Sequence, residues 1–261
     1  SYLNTFLKYN TGSIIAIANK EMIIAGGSLL RKKIYQISNY IIPLDSEHFS
    51  LFNTLNKNDN ISKIYITASG GPFYFNKKIN LNKVTKKQVL SHPKWKMGNN
   101  NLIDSSNFIN KILEIYEVSH LFNIDISKID FLLSKEAFVH SIVNYSDGRI
   151  AINAFKNDMI LPISKPLRFF YKLDDYIENK RFFDPTMLEL SKPNDKRFKL
   201  IKYFNFFKYL NHTNQIKLML LNNHAHKLYL SDKLKYNDII VYLMKNLSIK
   251  NSDQNLNTFI S

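Results

Sequence analysis

Two carboxylates one residue apart, Asp45 and Glu47, are the side chains of this sequence best placed to do chemistry. They follow an apolar run over residues 40–44, which predicts a buried strand that ends where the carboxylates begin. In α/β proteins, ligands bind beyond the carboxyl ends of such strands. A hard divalent cation held there needs further oxygen ligands, and Glu114 is the best candidate for a third carboxylate.

The segment that carries Glu114 predicts one amphipathic helix, which begins at a cap on Asp104 or Ser105. Its polar side chains recur every three or four residues, so they share one stripe. The members of that polar stripe are Asn107, Asn110, Lys111 and Glu114. The opposite, buried face consists of Phe108, Ile112, Ile115 and Ser119. A carboxylate beside a cation and an amide indicates a metal and a phosphate held side by side.

Two further predicted strands end in groups that could meet a ligand. The strand over residues 13–18 is followed by Asn19, Lys20 and Glu21, and the strand over residues 61–68 by Ser69, Gly70 and Gly71. Two glycines free the backbone to approach an anion, and a serine hydroxyl can donate to it. A plain turn has the same composition, so this second stretch leaves both interpretations open.

Residues 92–98 contain the only tryptophan, Trp95, between two lysines, and end at Gly98. A large aromatic side chain next to a glycine hinge is typical of a flap over an active site. An aromatic anchor in a hydrophobic core is the alternative, and the composition favours neither.

Periodicity predicts an α/β (α+β) catalytic domain with a mixed sheet, followed by a small C-terminal helical bundle. The later strands fall at residues 129–133, 139–145 and 149–155, the last two forming a hairpin around Asp147 and Gly148. Three helices are predicted at residues 198–210, 215–230 and 237–247. The expected division is a catalytic domain over 1–164, a connecting segment over 165–196, the helical domain over 197–250 and a tail over 251–261.

The 261 residues include 36 Lys and Arg against 21 Asp and Glu, a net charge of +15. Such a charge is typical of proteins that bind nucleic acid or an anionic surface. The lysines are scattered, however, and the abundance of Ile, Asn, Lys, Phe and Tyr together indicates an AT-biased genome instead. The absence of cysteine excludes disulfides, thiolate metal sites and a cysteine nucleophile. No apolar run approaches the roughly 18 residues of a membrane span.

Five motifs occur in one order and together resemble the 1-deoxy-D-xylulose-5-phosphate reductoisomerase family of the non-mevalonate isoprenoid pathway. They are residues 18–21, 43–48, 68–73, 92–98 and 104–114. Residues 140–143, 147–148 and 158–163 continue the match, which covers residues 12–163 and is thin beyond them. The resemblance implies the NADPH- and metal-dependent rearrangement and reduction of 1-deoxy-D-xylulose 5-phosphate to 2-C-methyl-D-erythritol 4-phosphate.

The same resemblance implies a role for each residue of the site. Asp45, Glu47 and Glu114 would ligate Mg²⁺ or Mn²⁺. The phosphate would lie against Ser69, His92, Ser105, Asn110 and Lys111, and the sugar hydroxyls against Lys20 and Ser46. Trp95 and Met97 would belong to the flap, and Asn19, Glu21 and Gly98 would contact NADPH. The partners implied are a small sugar phosphate and a second copy of the chain, without nucleic acid or membrane. The expected location is the cytoplasm of an AT-rich bacterium, such as a symbiont, or alternatively a plastid.

Several stretches depart from the family pattern. The seven glycines form no G-x-G-x-x-G motif, so most of the NADPH site is expected in an N-terminal portion that precedes Ser1. Residues 99–102 replace a more basic segment behind the flap, and residues 222–226 replace an element of small residues. His224 and His226 are two apart on a predicted helix and do not share a face, so we expect structural roles for them rather than metal ligation.

Two other classes of function fit parts of the sequence. A non-catalytic, partner-binding domain of the same fold would not need three carboxylates and Lys111. A nucleic-acid binder would account for the net charge, but paired carboxylates would repel a phosphate backbone. We therefore expect the 261-residue chain alone to bind Mg²⁺ or Mn²⁺ and the sugar phosphate, without measurable NADPH oxidation in an absorbance assay.

Overall fold

A parallel βαβ unit opens the part of the chain that the computed structural model describes. The described residues are 14–37, 40–56, 59–91, 98–171 and 188–247. Strand β1 (Ile14–Ile17) leads into helix α1 (Lys20–Ile37), which returns the chain to strand β2 (Tyr40–Pro43), paired parallel with β1. Helix α2 (Ser46–Thr54) follows β2 directly, because the side chain of Asp45 caps it by accepting from the Glu47 amide. The first carboxylates therefore lie at a strand end, as predicted.

A second, five-stranded sheet forms the centre of the fold. Its strands are β3 (Ile61–Ala68), β4 (Ile129–Ser134), β5 (Val139–Tyr145), β6 (Ile150–Ala154) and β7 (Leu190–Ser191), in the order β6-β5-β3-β4-β7. Strands β3 and β4 are parallel, whereas the three other pairs are antiparallel. The mixed sheet and the β5–β6 hairpin are confirmed.

Helices cover the sheet and continue into a C-terminal group. Their bounds are α3 (Lys86–Val89), α4 (Asn99–Asn107), α5 (Ile109–Phe122), α6 (Ile160–Tyr171), α7 (Lys199–Lys202), α8 (Phe204–Lys208), α9 (His212–Leu230) and α10 (Ile239–Asn246). Helix α5 is buried on every side and contacts α1, the sheet and α8. The C-terminal helices share one hydrophobic cluster with the sheet. No helix in the described ranges is long and apolar enough to cross a bilayer.

The prediction of one helix through residues 104–114 is wrong. Helix α4 ends at Asn107, Phe108 adopts a left-handed conformation with φ 70°, and α5 begins at Ile109. A bulky residue rarely takes this conformation. Here the Phe108 ring is fully buried against Phe131 and Phe198, and Asn107 Oδ1 accepts from the Ile109 amide at 3.0 Å. Asn107 therefore does not share a stripe with the polar residues of α5.

Three boundaries in the second half also differ from the prediction. The helix expected over 198–210 is two short helices separated at Tyr203. Helix α9 begins at His212, three residues early, because the Asn211 side chain caps it by accepting from the Asn214 amide. Residues 165–171, expected to connect two domains, continue helix α6 through Pro166. The division into domains stays a prediction, and the tail over 251–261 lies outside the described residues.

Candidate functional site

A cavity of about 370 Å³ lies where β2 and β3 end and where α1, α2 and α5 begin. Nine of the side chains predicted for the site line it together. They are Lys20, Asp45, Ser46, Glu47, Ser69, Ser105, Asn110, Lys111 and Glu114. These residues come from five different elements or turns, so the fold assembles a site that is dispersed along the chain.

The three predicted carboxylates converge at one side of this cavity. One oxygen each of Asp45, Glu47 and Glu114 lies within 4.8 Å of the others. Asp45 and Glu47 occupy the cap and first turn of α2, whereas Glu114 projects from the buried helix α5. Three oxygen donors at this spacing are the ligand set that Mg²⁺ or Mn²⁺ takes in proteins. The donor set therefore fits a hard divalent cation.

Two lysines compensate the charge of these carboxylates. Lys111 Nζ lies 2.8 Å from Glu47 Oε1 and 2.5 Å from Glu114 Oε2. Lys20 Nζ lies 3.1 Å from Asp45 Oδ2 and 3.6 Å from Glu114 Oε1. Buried ionised groups are tolerated only when they are paired in this way. Burial alone would lower the pKa of both lysines, but the surrounding carboxylates raise it above the ordinary value, so both ammonium groups stay charged.

Two buried residues of this charge network were missed by the sequence analysis. His48 Nδ1 lies 2.8 Å from Asp45 Oδ1, and its Nε2 lies 3.2 Å from the Glu114 carbonyl oxygen. Glu117 Oε2 lies 3.5 Å from Lys20 Nζ. Their spacing is a signal that could have found them, because each is three residues beyond a predicted carboxylate on the same helix. Burial opposes ionisation of His48, but Glu117 and Asp45 raise its pKa to about 9.

The pKa values of two acidic groups in the cavity are shifted in opposite directions. Burial raises the pKa of Glu114 to about 7, with Lys111 opposing the rise and the Asp45 and Glu47 carboxylates adding to it. Burial would also raise the pKa of Asp45, but Lys20 and His48 hold it well below its usual range. Repulsion among the three carboxylates therefore raises the pKa of Glu114, which is the most deeply buried of them.

The other side of the cavity is formed by neutral donors and a glycine turn. Ser69, Ser105 and Asn110 line it next to Lys111. Gly71 has φ +58°, and a Cβ placed on it would lie 3.0 Å from the Ser105 carbonyl oxygen. Only glycine fits this backbone conformation and this close approach. The turn after β3 is thus packed directly on the end of α4, which brings Ser69 and Ser105 to one wall.

His140, on β5, also lines the cavity and was not predicted as a site residue. Its ring stacks on Phe155 with the ring centroids 3.9 Å apart, and its Nε2 lies 3.2 Å from the Phe155 carbonyl oxygen. Burial lowers the pKa of His140, so its imidazole is neutral at pH 7.

The residues assigned to NADPH are not among the described residues that line the cavity. Asn19 Oδ1 caps α1 by accepting from the Met22 amide at 2.7 Å, and Glu21 is exposed beside it. Gly98 is the exposed N-cap of α4. The cofactor assignment of these three residues stays a prediction. His92, Trp95 and Met97 lie outside the described residues.

Solved structures with the same fold are reductoisomerases. A structure of DOX-P reductoisomerase in complex with NADPH, fosmidomycin and magnesium superimposes with a TM-score of 0.83 at 28% identity, covering 95% of this chain and 64% of that one. The enzyme from Zymomonas mobilis in complex with NADPH gives a TM-score of 0.79 at 27% identity. The family model described as "1-deoxy-D-xylulose 5-phosphate reductoisomerase C-terminal domain" matches residues 41–122. The fold is thus that of the reductoisomerases.

Curated relatives specify the family. The 1-deoxy-D-xylulose 5-phosphate reductoisomerase of Pelagibacter ubique is 34% identical over 267 aligned residues, which cover 95% of this chain and 68% of the relative. The Clostridium novyi enzyme of the same name is 36% identical, and this chain covers 66% of its length. The chain belongs to the 1-deoxy-D-xylulose 5-phosphate reductoisomerase family, and it spans about two thirds of the length of these relatives.

The buried carboxyl of Glu114 generates a prediction for the metal-free protein. Its pKa is raised from 4.5 to about 7, so the free energy of unfolding falls as the pH rises from 4.5 to 7. Glu114→Gln removes this titration. In the presence of EDTA, we expect the variant to be more stable than the unaltered chain by about 1–3 kcal/mol at pH 8, a difference that closes towards pH 5.

Denaturant unfolding curves between pH 5 and pH 8 measure this difference. Glu21→Gln, at an exposed position, is the matched control and should show no such pH dependence. A variant that is less stable than the unaltered chain at pH 8 would contradict the prediction.

Proposed function

We propose that this chain binds the divalent metal and the sugar phosphate for the conversion of 1-deoxy-D-xylulose 5-phosphate to 2-C-methyl-D-erythritol 4-phosphate. The observation that carries the proposal is the convergence of Asp45, Glu47 and Glu114 within 4.8 Å in a cavity that also holds Lys111. Membership of the reductoisomerase family supports the reaction, and the solved relative is a complex with NADPH, fosmidomycin and magnesium.

The three carboxylates would hold Mg²⁺ or Mn²⁺. A cation there supplies a Lewis acid for the carbonyl and hydroxyl oxygens of the substrate. The carboxylates of this chain are already oriented before binding, by the α2 cap at Asp45 and by the buried helix that carries Glu114. Lys111 and Lys20 now neutralise these carboxylates, so a bound cation would release both ammonium groups towards the substrate.

The phosphate group of the substrate would lie against Ser69, Ser105, Asn110 and Lys111, with His92 at the same end. Lys111 supplies the charge, and the neutral side chains supply donors in fixed positions. Lys20 and Ser46, on the carboxylate side, would contact the hydroxyls of the sugar. This arrangement holds the reacting carbons next to the three carboxylates, because both subsites line one cavity.

NADPH, when bound, would supply the hydride for the reduction. Asn19, Glu21 and Gly98 are proposed to contact the nicotinamide half of the cofactor, and Trp95 and Met97 to cover it as a flap. The adenosine and pyrophosphate ends need a glycine-rich turn at a helix N-terminus. None of the seven glycines of this sequence belongs to such a motif.

Lys111→Ala tests the phosphate assignment. A charge-assisted hydrogen bond to a ligand contributes about 1.5–3 kcal/mol, so we expect the affinity for 1-deoxy-D-xylulose 5-phosphate to fall roughly 10- to 150-fold. Binding of Mn²⁺ should not weaken, because the variant removes a cation that competes for Glu47 and Glu114. Titration calorimetry measures both affinities.

Lys87→Ala, at an exposed lysine of α3, serves as the control for the loss of one positive charge. Equal affinity of the Lys111→Ala and Lys87→Ala variants for the sugar phosphate would rule out Lys111 as a phosphate ligand. A chain that binds neither Mn²⁺ nor the sugar phosphate would instead favour the non-catalytic, partner-binding interpretation.

We also propose that the outer strand β6 and helix α6 bind a second copy of the chain. Within the described residues, β6 pairs only with β5. Ile150 and Ile152 on β6 are 64% and 55% exposed, and Ile160, Ile163 and Leu167 are exposed on the neighbouring helix α6. An edge strand with exposed isoleucines is a template for pairing with another strand. Exposed apolar side chains of this kind are typical of an interface.

Ile152→Lys should disrupt this dimer, because it places a charge in the apolar interface. We expect the unaltered chain to sediment as a dimer and the variant as a monomer in analytical ultracentrifugation. Leu220→Lys is the matched control, since Leu220 is 61% exposed on α9, a different helix. Monomeric behaviour of the unaltered chain at micromolar concentration would reject the interface.

A further inference from the structure

Helix α9 makes a buried polar contact with helix α4 at Asp104. The Asp104 carboxylate is almost fully buried, and its Oδ1 accepts hydrogen bonds from Asn222 Nδ2 and His226 Nε2, each at 2.8 Å. Asn222 and His226 are four residues apart on α9, so both lie on the face towards α4, and both are buried. A carboxylate out of water is stable only when donors replace the lost hydration. These two donors therefore attach α4 to α9.

Asp104 directly precedes Ser105, which lines the cavity. The Ser105 carbonyl oxygen contacts the turn at Gly71, as described above, and the next carbonyl, of Ser106, accepts from Tyr236 Oη at 2.8 Å. The last turn of α4 is thus held on the C-terminal side by α9 and Tyr236 and on the cavity side by the glycine turn. A displacement of Asp104 would be passed on to Ser105 within one residue.

Two histidines of α9 differ in their contacts. The side chain of His226 is one of the two donors to Asp104. His224, two residues earlier, is exposed and contacts the Tyr242 hydroxyl at 2.7 Å instead. The two histidines therefore face different surroundings. Of the two, only His226 contacts Asp104, the residue that precedes Ser105.

We propose that Asp104, Asn222 and His226 are positioning residues for the phosphate subsite. They hold the end of α4 so that Ser105 stays on one wall with Ser69, next to Lys111, without touching the ligand themselves. The proposal rests on the proposed function, because it takes Ser105 as a phosphate ligand. The three carboxylates proposed to bind the metal belong to α2, with its cap, and to α5. Loss of the contact at Asp104 should therefore affect the phosphate subsite and leave metal binding intact.

His226→Phe tests the proposal because it keeps a ring of similar size and removes the donor to Asp104. We expect the dissociation constant for 1-deoxy-D-xylulose 5-phosphate to rise about tenfold or more, as a small misplacement of a binding group produces. The dissociation constant for Mn²⁺, measured by electron paramagnetic resonance, should not change. Backbone amides of residues 105–108 should exchange hydrogen faster. His226→Gln, which can donate to Asp104, should restore both properties.

His224→Phe is the matched control, with the same substitution on the same helix, and should behave as the unaltered chain. Unchanged sugar-phosphate affinity and amide exchange in His226→Phe would overturn the positioning role. A parallel loss of Mn²⁺ binding and cooperative unfolding would also overturn it, since the contact would then be purely structural. Failure of the unaltered chain to bind the sugar phosphate would reject the proposed function itself, and the positioning role with it.

Discussion

The convergence of three carboxylates within 4.8 Å of one another is the constraint on which the rest of the structure depends. Like charges at this distance repel strongly wherever water is excluded. Two ammonium groups and an imidazole, contributed by α1, α2 and α5, compensate this repulsion. Those three helices can meet only if α5 runs through the interior, so a helix that carries Lys111, Glu114 and Glu117 is buried on every side. The charge network and the topology are thus one arrangement.

The break at Phe108 follows from the same constraint. The cavity needs Ser105 on one wall and Glu114 on another. A continuous helix from α4 to α5 would instead place both residues along one helix axis. The left-handed residue between them changes the direction of the chain, and the buried phenyl ring offsets the conformational cost. Gly71, in the turn after β3, also helps to position Ser105, because the absence of a side chain lets this turn pack against α4.

Much of the site was predictable because strand ends are visible in a sequence. The carboxylates after β2 and the serine and glycines after β3 could be placed at the ends of strands from apolar runs and turn residues alone. The break at Phe108 was not predictable, since spacings of three and four residues fit a helix on both sides of it. His48 and Glu117 were missed because their partners are distant in the chain: His48 contacts Glu114 on α5, and Glu117 contacts Lys20 on α1. The extension of α6 through Pro166 was not predictable either, because proline is disfavoured in the interior of a helix.

The separate βαβ unit has a consequence for the lifetime of the protein. A sheet of only two strands is marginal by itself, and β1 and β2 pair only with each other among the described residues. Asp45 and Glu47 follow β2, whereas Glu114 belongs to the central helix. A cation bound by all three would fasten this unit to the interior, with a gain that grows with the free concentration of the ion. Starvation for divalent metal would then expose the unit to proteolysis, so the cell would lose the protein itself and not merely its turnover.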